Sequence, residues 1–247
     1  MARAQHEMRR HGLAGAGRWA GWILGVALLC AGPGTAAWAI SLPADFSLDM
    51  SVSQGDQLWT NDGSQLADEL TLSSSGDETT LALAGAKNVL GGAARIRSWS
   101  STFDPDPFVT NNFVVVNNSN AIQTFAFTVT SPVSPTLLVD EIIQSNVILT
   151  INDDDGQNGA SVSSVSGSAV YQAFVNGSPT LSFLDDPFAN SCADAVDCAL
   201  NGTSVEAVAS QAFGPVSATS LGITIQFQLS PGDSAAVQSR FEIVPEP

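Results

Sequence analysis

Histidine is almost missing from this sequence: His6 and His11 are the only two in 247 residues, and none follows them. Histidine is the usual general base near neutral pH and the group that activates Ser or Cys nucleophiles, so a histidine-based triad is excluded from the rest of the chain. Cations are as scarce. After Arg18 only Lys87, Arg95, Arg97 and Arg240 remain, and the whole chain carries a formal net charge of −16. Nucleic acid is bound by clustered Lys and Arg that displace counterions from phosphates, which four scattered cations do not supply. The same field repels anionic headgroups and keeps the chain soluble. Cysteine is limited to Cys30, Cys192 and Cys198. Structural zinc takes four ligands, so "SCADAVDC" with no histidine nearby is no zinc site. Long apolar runs are missing too. The longest, "WAGWILGVALLC", ends at Gly32-Pro33-Gly34, short of the about 20 residues a stable membrane span needs.

What that apolar run does carry is an address. Arg3, Arg9, Arg10 and Arg18 precede it, and "AWA" at Ala37 to Ala39 follows. A basic region, a short apolar region and small residues make a secretory signal peptide over residues 1–39, with Ala37 and Ala39 marking cleavage after Ala39 by a signal peptidase. Leu29 stands before Cys30 where a lipobox has a small residue, which argues against lipidation. Arg9-Arg10 fits a twin-arginine signal only in part, so general export is expected. An exported chain meets an oxidising compartment, and Cys192 and Cys198 are expected to close one disulfide. So small a loop contributes only about 2 kcal/mol in the chain-entropy model.

The remaining residues are rich in Ser, Thr, Val, Asn and Gly, and apolar residues recur with period two over short runs. In "TFAFTVT", Phe125, Phe127 and Val129 share one face and the threonines the other; "GITIQFQL" repeats the pattern with Ile223, Ile225 and Phe227. Such strands have one buried and one solvated face. Further runs include "FSLDMSV", "NNFVVVNN" and "SNVILTIND", separated by turn signals such as "SSGDE", "DDDGQNG" and "SPGDS". The expectation is an all-β protein: an antiparallel two-sheet β-sandwich, jelly-roll or Ig-like, with at most one or two short helices, spanning residues 40–241 as one domain. "TSVEAVASQAF" is open to two readings, a helix capped by Thr203 and Glu206 or another strand.

Three stretches invite a chemical reading. Carboxylate pairs of the glycoside hydrolase kind need two acids about 5 to 10 Å apart, and sequence spacing does not identify such a pair among so many acids. Solvated turn carboxylates are the plainer reading, so no catalytic residue is assigned and an enzyme is not expected. "NDDDGQNG", Asn152 to Gly159, offers Asp153, Asp154 and Asp155 to calcium, which takes six to eight oxygens. Its spacing does not match an EF-hand, and a solvated hairpin turn accounts for it without any cofactor. "RIRSW" sets Arg95, Arg97 and Trp99 at alternate positions, a candidate glycan face for a carbohydrate-binding module. Cross-strand ion pairs and a buried indole are the alternative. Three Asn-x-Ser/Thr sequons, at Asn117, Asn176 and Asn201, are what Asn- and Ser-rich turns yield by chance.

The chain closes on "FEIVPEP", residues 241–247. With the leader, a Ser/Thr/Asn-rich β domain, "VVVNNSNAIQTFAFTVTSPV" and this ending, it resembles the PEP-CTERM exported proteins of Gram-negative, exopolysaccharide-forming bacteria. The resemblance implies a sorting motif at residues 242–247, carried by Val244, Pro245, Glu246 and Pro247, and an exosortase-type enzyme as partner. It implies delivery to the cell envelope, outer surface or extracellular matrix, and association with exopolysaccharide or biofilm. Family members carry an apolar span and an arginine-rich tail after the motif; this sequence ends at Pro247.

Overall fold

A computed structural model of the chain describes residues 46–62, 65–104, 107–137, 141–213 and 217–245. The expected leader with Ala37 and Ala39, and the last two motif residues Glu246 and Pro247, lie outside them. In chain order the strands begin β1 (Ser47–Gln54), β2 (Gln57–Asp62), β3 (Leu70–Ser75), β4 (Glu78–Leu83), β5 (Lys87–Val89) and β6 (Ala94–Asp104). They continue with β7 (Phe108–Thr110), β8 (Asn112–Asn117), β9 (Gln123–Leu137), β10 (Glu141–Asn152), β11 (Ala160–Ser163) and β12 (Tyr171–Val175). The series closes with β13 (Ser178–Phe183), β14 (Ala189–Cys192), a short helix α1 (Ala195–Asn201), β15 (Thr203–Phe213), β16 (Ala218–Leu229) and β17 (Ser234–Pro245). Among the described residues no helix is long and apolar enough to cross a membrane.

The strands form two antiparallel sheets. One has eight strands, ordered β13-β12-β16-β9-β1-β2 with β11 joining β16 to β14. The other has nine, ordered β15-β10-β17-β7-β6-β4-β3, with β8 pairing both β17 and β6 and β5 pairing β6. This is the all-β, two-sheet sandwich expected from the alternation of apolar and polar residues. Phe125, Phe127, Val129, Ile223, Ile225 and Phe227 are fully buried. On the outer face the hydroxyls of Thr128 and Thr224 meet at 2.9 Å. The sheets meet through aromatic rings: Phe113 of β8 stacks on Phe127 of β9, centroids 4.1 Å apart. Each such side chain contributes about 1.5–3 kcal/mol by leaving water.

Several polar groups inside this core are paired across it. The Trp99 indole N–H donates to Asn111 Oδ1 at 3.0 Å, and Asn111 Nδ2 donates to the Phe127 carbonyl of the facing sheet. The hydroxyls of Tyr171 in β12 and Ser145 in β10 meet at 2.6 Å across the interior. Burial drives the Tyr171 phenol well above its ordinary pKa, so it stays neutral.

"TSVEAVASQAF" is a strand, β15, paired with β10 from Thr150↔Thr203 to Glu141↔Phe213. Its spacing of Thr203 and Glu206 suits a helix cap, but the sheet edge of β10 claims the backbone, and Glu206 instead accepts from the Leu184 amide at 2.7 Å. The short helix falls earlier, beginning within "SCADAVDC" and ending at Asn201, and Asp194 caps it by accepting from the amides of Val196 and Asp197. Strand β17 runs past the domain limit expected at residue 241: Glu242, Ile243, Val244 and Pro245 pair with Gln144, Ile143, Ile142 and Glu141.

Candidate functional site

The Arg95, Arg97 and Trp99 face does not form. Register shifts between Ile96 and Ser98, where β6 pairs with β8. A bulge of this kind inverts the alternation beyond it, so Arg95 and Arg97 face outward while Trp99 turns in, 1% exposed and hydrogen-bonded to Asn111. An indole enclosed in the core offers no stacking platform. Arg97 instead pairs with Asp154 at 2.7 Å, and Arg240 lies over the Phe108 ring and pairs with Glu242. Cys192 and Cys198 do form a disulfide, tying the end of β14 to α1. The sequon residues are engaged as well: Asn176 bonds the segment at Ser217 and Thr219, Asn201 donates back to Asp197 within α1, and Asn117 is fully buried.

The acidic turn gains a partner that lies eighty residues away in sequence. β10 and β17 are antiparallel neighbours whose ladder ends at Asn152↔Ser234. One step beyond that pair the two chains carry Asp153 and Asp233. The turn after β10 supplies Asp155 as well, and oxygens of Asp153, Asp155 and Asp233 all lie within 4.8 Å of one another. Asp153 is 8% exposed and Asp233 fully buried; Asp155 is exposed. Like charges brought opposite each other at a ladder end are repulsive, and burial adds desolvation.

Local structure fixes these carboxylates. Gly232 takes φ +80°, and a Cβ there would fall 2.2 Å from Asp155 Oδ2. Only glycine lets the β16–β17 turn approach the β10–β11 turn so closely. Asn117, at the end of β8, clamps the same turn. Its Nδ2 donates to the carbonyls of Leu229 and Ser230, both at 3.0 Å, and to that of Ala121 at 2.8 Å. Its backbone exchanges bonds with Gly232 and Asp233. Asp233 accepts a short hydrogen bond from the Ser230 hydroxyl through one oxygen. Its other oxygen, and both oxygens of Asp153, have no hydrogen-bond partner among the described residues. Burial pushes the Asp233 carboxyl up to about 6; the Ser230 bond opposes this, and the charges of Asp155, Asp153 and Asp154 reinforce it.

Beside Asp155 the surface opens into a cavity of about 730 Å³. Ser119, Asn158, Ser161, Ser191 and Asp197 are among its lining residues, and no aromatic ring is. The Asp197 carboxyl is held below its ordinary value by the Asn201 side chain and the Ala193 amide. Sequence reasoning treats "SPGDS" as a turn and assigns Asp233 no role. The one signal available was an acid placed where a long apolar strand begins, beyond a Pro-Gly that sets the turn.

No family model and no curated protein matches the chain. Among solved structures it is similar to that of TmCBM61 in complex with β-1,4-galactotriose, at 9% identity over 65% of this chain and 87% of that one, with a TM-score of 0.28. A likeness of that size carries no argument about ligand or activity.

Proposed function

We propose that this chain is an exported, non-catalytic protein of the cell surface or extracellular matrix, sorted through its Val244–Pro247 motif by an exosortase-type enzyme. The observation that carries the reading is the course of β17. A single strand of the larger sheet leads from Asp233 at one end of the sandwich to Val244 and Pro245, the first two residues of the motif, at the other. At about 3.3 Å per residue, twelve residues span about 36 Å. A sandwich held at its C-terminal end would therefore carry the acidic turns and the polar cavity at the far pole, facing outward. The disulfide in the β14–α1 loop suits the oxidising compartment that the leader implies. The burial of Asp153 and Asp233 sets them in packed turns and not in a substrate cleft, which weighs against a glycoside hydrolase pair.

Fractionation of a host carrying the full gene tests the reading. Recovery in the envelope or matrix fraction, with a mature N-terminus at Ile40, is expected; cytoplasmic protein with an intact leader contradicts it.

A second reading, carbohydrate binding, now attaches to the cavity beside Asp155 instead of the Trp99 face. Its hydroxyl, amide and carboxylate lining can exchange hydrogen bonds with sugar hydroxyls. A glycan array on the mature protein is expected to show hits that Asn158→Ala and Ser191→Ala weaken. An array without hits removes this reading and leaves the first intact.

A further inference from the structure

We propose that Asp153, Asp155 and Asp233 form a calcium site that locks the β10–β11 turn to the β16–β17 turn. The acidic cluster alone would not carry this, since acids often gather at turns without an ion. What points to a ligand is the state of the two buried members. Asp153 is more than nine-tenths buried with both oxygens unpartnered, and Asp233 is fully buried with one oxygen unpartnered, beside the first. Buried, unpaired carboxylate oxygens are costly, and native structures supply them with a partner. Arg97, which reaches this turn, is engaged with Asp154.

The donor set selects the ion class. All three side chains offer hard oxygen, and the nearby cysteines are tied up in a disulfide, which excludes the soft-ligand metals. Calcium takes six to eight oxygens at 2.3–2.6 Å in flexible geometry, with carboxylates, backbone carbonyls and water all acceptable. Asp155 is exposed, so water can complete the shell on its side. Magnesium demands near-ideal octahedral geometry and gives up water reluctantly, which suits two buried carboxylates poorly. Three carboxylates against two positive charges also cancel most of the repulsion at the ladder end. The site escapes a linear motif search because its third ligand comes from the turn that leads into the neighbouring strand. This inference does not rest on the export reading.

The test uses the mature, disulfide-bonded protein. Calorimetric titration with calcium after chelator treatment is expected to show one site per chain. At a hundredfold excess over Kd the melting temperature is expected to rise by about 5–10 °C, with a smaller rise for magnesium at the same concentration. Asp233→Asn and Asp153→Asn are expected to abolish the calcium response, while Asp154→Asn, outside the cluster, keeps it. In chelator, Asp233→Asn is expected to melt no lower than the parent, because it removes an uncompensated buried charge. The unsubstituted protein decides the matter even if a variant fails to fold: no calorimetric heat and an unchanged melt in millimolar calcium overturn the site. A response that survives both substitutions, or an equal response to magnesium, overturns the assignment.

Discussion

Asn117→Ala tests whether the acidic pole is built by the residues assigned to it. The parent side chain donates to the carbonyls of Leu229, Ser230 and Ala121, and its Oδ1 accepts from the Ser119 amide and hydroxyl at 3.0 and 2.7 Å. Net hydrogen bonds are worth about 0.5–1.5 kcal/mol each, and an unpartnered buried carbonyl adds desolvation. Alanine keeps the backbone bonds to Gly232 and Asp233 and opens a small polar cavity that water can enter, which limits the loss. The expected destabilisation is about 3 kcal/mol, read as a fall in the urea midpoint with an unchanged slope. Because the same turn carries Asp233, the calcium response should shrink in parallel. A destabilisation below about 1 kcal/mol with the full calcium response would show that the turn is held without the clamp, and would refute the reasoning.

Three further outcomes follow from the same geometry. Asp233 has a folded-state pKa near 6 against an ordinary 3.8, so the folded state holds its proton more tightly than the unfolded one. Its contribution in chelator is therefore neutral below about pH 3.8 and becomes a cost as pH rises towards 6, reaching about 1–3 kcal/mol after allowance for solvent screening. Asp233→Asn should flatten that part of the stability–pH curve, and an unchanged curve would contradict the burial argument. Phe127→Ala should cost about 3–5 kcal/mol in chemical denaturation, because it removes a fully buried ring stacked across the two sheets. Trp99→Phe should cost about 1–3 kcal/mol by orphaning Asn111 Oδ1 and leave any glycan binding untouched, whereas lost binding without lost stability would restore the Trp99 face.

The sandwich was legible because its central strands alternate cleanly. β9 and β16 read as half-buried strands from their alternation alone, and their registers set Phe125 opposite Phe227 and Phe127 opposite Ile225. Local pattern failed where a neighbour decided the outcome. β15 carries helix-compatible spacing and is strand because β10 offers it an unpaired edge. Trp99 reads as an outward residue by counting in twos from Arg95, and one extra residue near Arg97 turns it inward. The acidic site was half legible: "NDDDGQNG" drew attention for its oxygens, whereas Asp233 becomes relevant only once β10 and β17 are known to be partners. Asn117 shows the same limit. As a sequon it carried no information, and its importance comes from two carbonyls that a distant turn brings to it, beside that of Ala121 close by in sequence.

The claim that this pole is completed by a cation is tested most directly by crystals of the mature protein grown with calcium. An anomalous difference map is predicted to show one peak 2.3–2.6 Å from carboxylate oxygens of Asp153, Asp155 and Asp233. A map with those side chains well ordered and no peak between them, in millimolar calcium, would contradict the account.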